Sequence, residues 1–417
     1  MPFCHTFKMN RNPWYLVALI LGISIITSST PGTTQEKALT IRQARVCITG
    51  ADHNRPDPFP GIGDFIGWPG GIERLPNGDL LLAHSAGYWH SSFAQPRLIE
   101  PELRKRWTKD GWPLDFPAPT GGRVMACRST DNGQSWSKPF TINDYRLDDG
   151  AHAVFTCRDG TVLCFVGVQA SWYGYAKAPP QFQDDISGLN TKQYVLRSTD
   201  SGKTWSKPIW LESPGNFYER AHGGRPIQLK DGGILWATYY QVIGDKYLRG
   251  AIRRSDDSGR SWKVISKIIR PDNNIDEPAI VQLKNGNLIL LTRPDGAIFV
   301  STDQGINWKD SGTRLVSEGK LKAPQLIVLG DGTVVAIATW NNLRAWISKD
   351  HGKTWTKDIP LDTSCYGYPG SFLVANDESI LLPYCASGRA PNRIYLVRFR
   401  INAARNGLEL LPLATQP

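Results

Sequence analysis

A chain of 417 residues is longer than one ordinary compact core accommodates, and its 40 Gly, 29 Pro and 15 Trp in short alternating segments suit an all-β array that grows by repetition. The formal charge of +10 comes from basic residues dispersed along the chain, with no Lys/Arg run and no RNA-binding signature. Nucleic acid is therefore excluded as the expected partner, and an acidic ligand fits better.

At the N-terminus, Lys8 and Arg11 precede an apolar stretch from Trp14 to Ile26, followed by the small polar run Thr27 to Thr34. A basic flank, a short apolar core and a small-residue exit describe a secretory signal, and the core is shorter than the roughly 20 residues a spanning helix needs. Residues 1–34 are expected to be a signal peptide, or an uncleaved anchor because no A-x-A site follows Ile26. Residues 35–417 are then one domain, monomeric and exported to the cell exterior or the periplasm. No Cys closely follows the apolar stretch, which argues against a lipoprotein. Cys47, Cys127, Cys157, Cys164, Cys365 and Cys385 follow it, an even number in a compartment that permits disulfides. Cys365 with Cys385 is the preferred pair, and free buried thiols are the alternative.

From Ile72 onward two repeats alternate. The first is an apolar strand, Asn/Asp-Gly and a second apolar strand, the strongest short-range hairpin signal. It reads IERLPNGDLLLA from Ile72, VFTCRDGTVLCF from Val154, PIQLKDGGILWA from Pro226, IVQLKNGNLILL from Ile280 and LIVLGDGTVVAI from Leu326. A sixth copy, SFLVANDESILLPY from Ser371, lacks the glycine. The second repeat is S-x-D-x-G-x-x-W, at Ser129–Trp136, Ser198–Trp205, Ser255–Trp262, Ser301–Trp308 and Ser348–Trp355. Ser, Asp and Gly are turn formers and the Trp is a packing block, so these boxes are read as structural staples without chemistry. Six hairpins and five boxes predict a six-bladed β-propeller of four-stranded antiparallel blades. The last blade closes with a strand at Arg393 to Ile401, and Leu39 to Thr49 is expected to pair there, removing the exposed sheet edges.

The turn glycines Gly78, Gly160, Gly232, Gly286 and Gly332 draw closer along the chain, which puts the insertions in the first three blades. The two large ones are Ala86 to Gly122 and Gln169 to Gln193; the second carries Trp172, Tyr173 and Tyr175, which could stack on sugar faces or simply pack within the loop.

Aligning the six hairpins on their turns brings equivalent positions together at the start of each inner strand, where they converge on the central funnel. Three residues before the first apolar residue stand Pro69, Ala151, Gly223, Glu277, Ala323 and Tyr368. One position earlier come Trp68, Gly150, His222, Asp276, Lys322 and Gly367, of which Trp68, His222, Asp276 and Lys322 are candidate substrate contacts. A carboxylate and a phenol on blades 4 and 6 face each other, and Arg293 ends the hairpin that follows Glu277.

The boxes, the six blades, Glu277 with Arg293 beyond it, and Tyr-Pro-Gly-Ser from Tyr368 resemble the sialidase superfamily over roughly residues 60 to 400. The resemblance implies a retaining exo-α-sialidase reaction in which Tyr368 is the nucleophile, Glu277 its base and Arg293 one of three arginines clamping the substrate carboxylate. It also implies an acid/base Asp on a first-blade loop, for which Asp115 is the candidate and Asp110 a competitor. No cofactor or metal is implied. Two departures stand out: Trp68, in GWPGG, occupies the place of the first clamp arginine, and Trp340, in TWNNLRAW, that of the third. Loss of two arginines removes most of the bidentate recognition a carboxylate needs. Arg344, Lys320, Lys322, Arg225 and Arg389 are the candidate replacements.

Three other readings use the same residues. His84, His90, His152 and His222 come from three blades, but without H-x-H or H-E-x-x-H spacing they read as structural or substrate-bonding rather than as metal ligands. Asp276 or Glu277 with Asp148, Asp149 or Glu219 would make the two carboxylates of a glycosidase for another sugar. In a non-catalytic carbohydrate-binding propeller, Glu277 and Arg293 would be a structural ion pair and Tyr368 core packing.

Overall fold

The turn chemistry read from the repeats is realised in a computed structural model of the chain, which describes residues 39–50, 65–87, 123–143, 148–169, 192–215, 218–221, 224–242, 244–386 and 393–413. The expected signal segment lies outside these residues. In the first box Ser129 Oγ donates to Asp131 Oδ1 (2.7 Å) and accepts from Gly133 N (2.8 Å), while Asp131 Oδ1 accepts from Ser135 N (2.9 Å). Trp136 Nε1 then donates to Gly133 O at 3.1 Å. The residue between Asp and Gly is left-handed in all five copies: Asn132, Ser201, Ser258, Gln304 and His351 have φ of 58, 59, 54, 60 and 62°. The glycine touches the preceding blade, since a Cβ on Gly259 would stand 2.8 Å from Leu163. Each box therefore closes its own hairpin and also seats one blade on its neighbour.

Among the described residues the strands form six antiparallel sheets. Blade 1 holds Phe65–Arg74, Leu80–Gly87, Arg123–Ser129 and Phe140–Asn143, and blade 2 holds Asp148–Thr156, Val162–Gln169, Lys192–Ser198 and Ile209–Trp210. In blade 3 the inner strand is broken into Tyr218–Arg220 and Ile227–Gln228, followed by Ile234–Gln241, Arg249–Ser255 and Lys263–Ile268. Blade 4 is Asp276–Gln282, Leu288–Arg293, Ala297–Ser301 and Lys309–Arg314; blade 5 is Lys322–Val328, Val334–Trp340, Asn342–Ser348 and Ile359–Asp362. Blade 6 begins with Tyr368–Pro369 and Leu373–Val374, then Ile380–Cys385 and Arg393–Ile401. This is the six-bladed propeller the repeats predict, with apolar clusters between adjacent blades, such as Leu81, Ala83 and Val124 against Val154 and Cys164.

The ring closes at the rim and at the axis. At the rim Arg45–Gly50 pairs antiparallel with Arg393–Ile401, as expected for the segment before residue 50, and Leu408–Leu410 shares the same edge, which the sequence had not revealed. Arg45 locks this strand by donating to the buried carboxylate of Asp362 (2.5 Å), which also accepts from Tyr384 OH (2.6 Å). At the axis Ile72 N donates to Ser371 O (3.0 Å), joining the inner strands of blades 1 and 6. Gly71 makes this possible, since a Cβ there would stand 1.7 Å from Ser371 Oγ.

One expectation is corrected. The Cys365–Cys385 disulfide is not formed: Cys365 Sγ donates to Asp362 Oδ2 at 3.5 Å, in the network that holds the N-terminal strand. Cys385 lies in register with Tyr368 inside the sheet.

The inner strands bulge at their first turn into the funnel. In blade 4 the register runs Asp276↔Arg293, then Ala279↔Leu291; in blade 5 it runs Lys322↔Thr339, then Gln325↔Ile337. Each gap holds one extra residue, and the bulge contains an X-Pro pair, Glu277-Pro278 or Ala323-Pro324. Proline cannot donate to a ladder, so it falls where pairing is already broken. Blade 1 bulges twice around Trp68-Pro69. The residue that matches Glu277, Ala323 and Tyr368 is therefore Trp68, one place from where turn-to-turn alignment put it.

Candidate functional site

Glu277 and Ala323 adopt φ of 46 and 48° although each precedes a proline, a position that normally favours extended backbone. Left-handed geometry at non-glycine residues costs about 1–2 kcal/mol and persists where surrounding contacts over-determine it. Here those contacts are visible. Glu277 Oε2 accepts from Ala323 N at 2.7 Å, so the strained bulge of blade 5 holds the side chain presented by the strained bulge of blade 4. The other carboxylate oxygen, Oε1, accepts from Arg293 Nη1 at 2.9 Å and from Tyr368 OH in a very short hydrogen bond. Three blades thus meet at one carboxylate.

Tyr368 is only 3% exposed and Glu277 4%, whereas the Arg293 side chain retains 26%. Burial, followed by the Glu277 charge, pushes the Tyr368 phenol well above its ordinary pKa, so it rests protonated. The Glu277 carboxylate holds Arg293 above its usual range, with burial opposing and Asp276 assisting. Asp276 lies 3.5 Å from Arg293 Nε, so the guanidinium sits against two carboxylates.

The phenol is fixed by stacking. Trp68 lies parallel to Tyr368 at 4.8 Å and 12°, and Tyr366 stacks on Tyr368 at 6.0 Å and 19°. Thr339 Oγ1 donates to Gly367 O at 2.6 Å, pinning the segment between the two tyrosines to blade 5. Lys322 Nζ lies 5.1 Å from the Tyr366 ring centroid. Burial pushes the Tyr366 phenol up to about 12, with the Glu277 charge assisting.

Tyr368, Glu277, Arg293, Asp276, Trp68 and Lys322 are therefore brought together. Arg225 and Arg344 are engaged elsewhere: Arg225 donates to the buried Glu73 at 2.6 Å, and Arg344 pairs with Asp358 while lying over the Trp340 ring. Lys320 is exposed. Asp115, Asp110, His222, His90, Arg389 and the Trp172 loop lie outside the described residues. Glu219, a candidate second carboxylate, is 1% exposed and bonded to Arg253 inside blade 3. Sequence reasoning missed the Ala323 amide and Tyr366. A repeated X-Pro at the strand starts would have signalled the first, since Ala323-Pro324 copies Glu277-Pro278 one blade on.

A family model for the BNR repeat-like domain matches residues 123–380. A sialidase of Bacteroides fragilis (strain YCH46) is 28% identical over 272 residues, covering 57% of this chain and 49% of the relative. The chain thus spans about half the length of the curated relatives it matches. Among solved structures, the Hadza microbial sialidase Hz136 superposes with a TM-score of 0.59 at 17% identity, over 80% of this chain and 65% of that one. A Penicillium chrysogenum α-L-arabinanase complexed with arabinobiose superposes with a TM-score of 0.53 at 17% identity, over 85% and 97%. At these identities the two structures share the fold.

Proposed function

The chain belongs to the BNR repeat-like family within the sialidase superfamily, and from that premise we propose that it is a glycoside hydrolase of the exo-α-sialidase type, releasing terminal acidic sugars from glycans outside the cytoplasm. The observation that carries the reading is the Oε1 atom of Glu277, which accepts from Tyr368 OH and Arg293 Nη1 together. A phenol held protonated is a poor nucleophile until a base removes its proton, and a directly bonded carboxylate is that base. A carboxylate nucleophile would be repelled by a sugar bearing its own carboxylate at the anomeric carbon, whereas a neutral phenol is not.

In the proposed reaction Tyr368 Oη bonds to the anomeric carbon as its proton passes to Glu277 Oε1. The glycosidic C–O bond breaks, and the leaving oxygen takes a proton from an acid, for which Asp115 is the candidate. Water then attacks the glycosyl carbon and gives its proton to that same acid's conjugate base. The Tyr–C bond breaks, and Glu277 returns the proton to the phenoxide. Two displacements retain the anomeric configuration. Arg293 supplies the counter-charge beside Glu277. Export is supported by the Lys8, Arg11 and Trp14–Ile26 pattern.

The test is hydrolysis of an aryl sialoside beside neutral and uronic aryl glycosides, by the full chain and by Tyr368→Phe. Release from the sialoside, lost by about three orders of magnitude or more in a variant that unfolds at the same temperature, is the expected result. Cleavage of another sugar alone would favour a two-carboxylate glycosidase. Silence across the panel would favour a carbohydrate-binding module or a substrate outside the panel.

A further inference from the structure

Two carboxylates, Asp276 and Glu277, face the one guanidinium of Arg293. Proton transfer from Tyr368 to Glu277 moves charge within this group without changing its sum. Taken alone, the group carries an excess negative charge and would repel an anionic sugar. Neither Arg225 nor Arg344 redresses the balance, because each is closed by its own carboxylate, Glu73 and Asp358. Trp68, where the resemblance places an arginine, brings an apolar face instead.

Lys322 is the exception. It directly precedes Ala323, whose N–H holds Glu277, and it is paired in register with Thr339, whose hydroxyl pins Gly367 between the tyrosines. Its ammonium is half-buried, lies over the Tyr366 face, and has no ion-pair partner among the described residues. Burial lowers its pKa, the Arg293 charge adds to that, and the Glu277 charge opposes it, so the ammonium lies within electrostatic reach of both. A half-buried cation that forms no ion pair with a described carboxylate is one that an incoming anion stabilises.

We propose that Lys322 is the second cation of the anion-binding half of this site, so that the acidic group of the sugar is received between the Lys322 ammonium and the Arg293 guanidinium and not by an arginine triad. The inference rests on the sialidase-type reading and makes it specific. Lys322 restores the charge balance that Asp276 and Glu277 disturb, and the Trp68–Tyr368–Tyr366 stack fixes the apolar wall from which the charge is presented.

The experiment is titration calorimetry of the full chain with N-acetylneuraminic acid and with its methyl ester, for wild type and Lys322→Met, alongside aryl sialoside kinetics. Wild type is expected to prefer the acid to the ester by tenfold or more. Lys322→Met should weaken the acid by about 10- to 100-fold and leave the ester unchanged, the loss of one charge-assisted contact. In kinetics the same loss should appear in KM with kcat largely kept. Equal acid affinity in wild type and a folded Lys322→Met, or equal binding of acid and ester by wild type, would overturn the proposal. Lys322→Gln repeats the comparison if the methionine variant does not fold. Hydrolysis with an unmoved KM in the variant removes the inference and spares the hydrolase. A Lys322-dependent acid preference without any turnover does the reverse.

Discussion

Of the buried glutamates paired with an arginine among the described residues, Glu219 and Glu277 differ most in what they join. Glu219 Oε1 accepts from Arg253 Nε (3.0 Å) and Nη2 (2.6 Å) and from Thr238 Oγ1 (3.0 Å), and all three residues lie on strands of blade 3. Glu277 takes Arg293 from its own blade, but also an amide from blade 5 and a phenol from blade 6. The first pair staples strands already hydrogen-bonded, on ordinary backbone. The second draws three blades to a point at the axis, on strained backbone, and leaves its arginine partly open. Burial and ion pairing are common to both, so neither marks a functional site. Convergence from separate blades on a residue at positive φ does.

Replacing the carboxylate oxygen that distinguishes the two should have the largest consequence. Glu277→Gln still offers an acceptor to Ala323 N but cannot take the Tyr368 proton, so kcat should fall by about 10²- to 10⁴-fold, the usual range for a lost general base. Steady-state kinetics on the aryl sialoside read this directly, and a variant within a factor of a few of wild type would return Glu277 to the structural class. Arg253→Met should invert the pattern. Stranding Glu219 in blade 3 without its charge partner is expected to cost about 3–5 kcal/mol in denaturant unfolding, with the specific activity of the folded fraction unchanged.

The same contrast explains what the sequence disclosed. Box and hairpin turns depend on residues within a few positions of one another, so Ser129–Trp136 and its copies announce the blades without reference to the rest of the chain. Glu277 and Tyr368 were legible because they depart from the repeat at equivalent positions, and Arg293 because it ends the hairpin that follows Glu277. Trp68 fell one place out of line because a second bulge in blade 1 does not show in turn-to-turn counting. Lys322 could not be separated from Arg344 and Arg225 by sequence, because what distinguishes them is which carboxylate each meets in space. The Cys365–Cys385 pairing failed for a similar reason: the geometry that sends Cys365 to Asp362 is set by the N-terminal strand, far away in sequence.

Burial without convergence also predicts a pH effect confined to stability. His84 is fully buried in blade 1, its Nδ1 against Ser85 O at 3.0 Å, and burial pulls its pKa down from 6.5 to about 4. The unfolded chain therefore takes up this proton before the folded one does. His84 contributes stability that is fully present above about pH 6.5 and is lost progressively as the pH falls toward 4, by at most about 3 kcal/mol. Unfolding of His84→Leu measured between pH 7 and 4.5 should show a shallower acid-side decline than wild type. Parallel slopes would mean that His84 is not the titrating group.

The smallest effect separates strain that serves the site from strain that does not. Glu378 has φ of 61° at the turn where the other five hairpins place glycine. Its side chain makes a long surface ion pair with Arg405, at 3.5 Å, and lies against Gly330. Among the described residues no hydrogen bond uses the Glu378 side chain, whereas at Glu277, with φ of 46°, the side chain is what the strain positions. Glu378→Gly should therefore stabilise the protein by about 0.5–1 kcal/mol, the relief of left-handed geometry less the entropy glycine gains on unfolding. Activity should not change, and the unfolding midpoint should rise by about 1 °C, the shift such a gain gives in a domain of this size. A loss of stability in that variant would show that the sixth hairpin is held by its glutamate and not in spite of it.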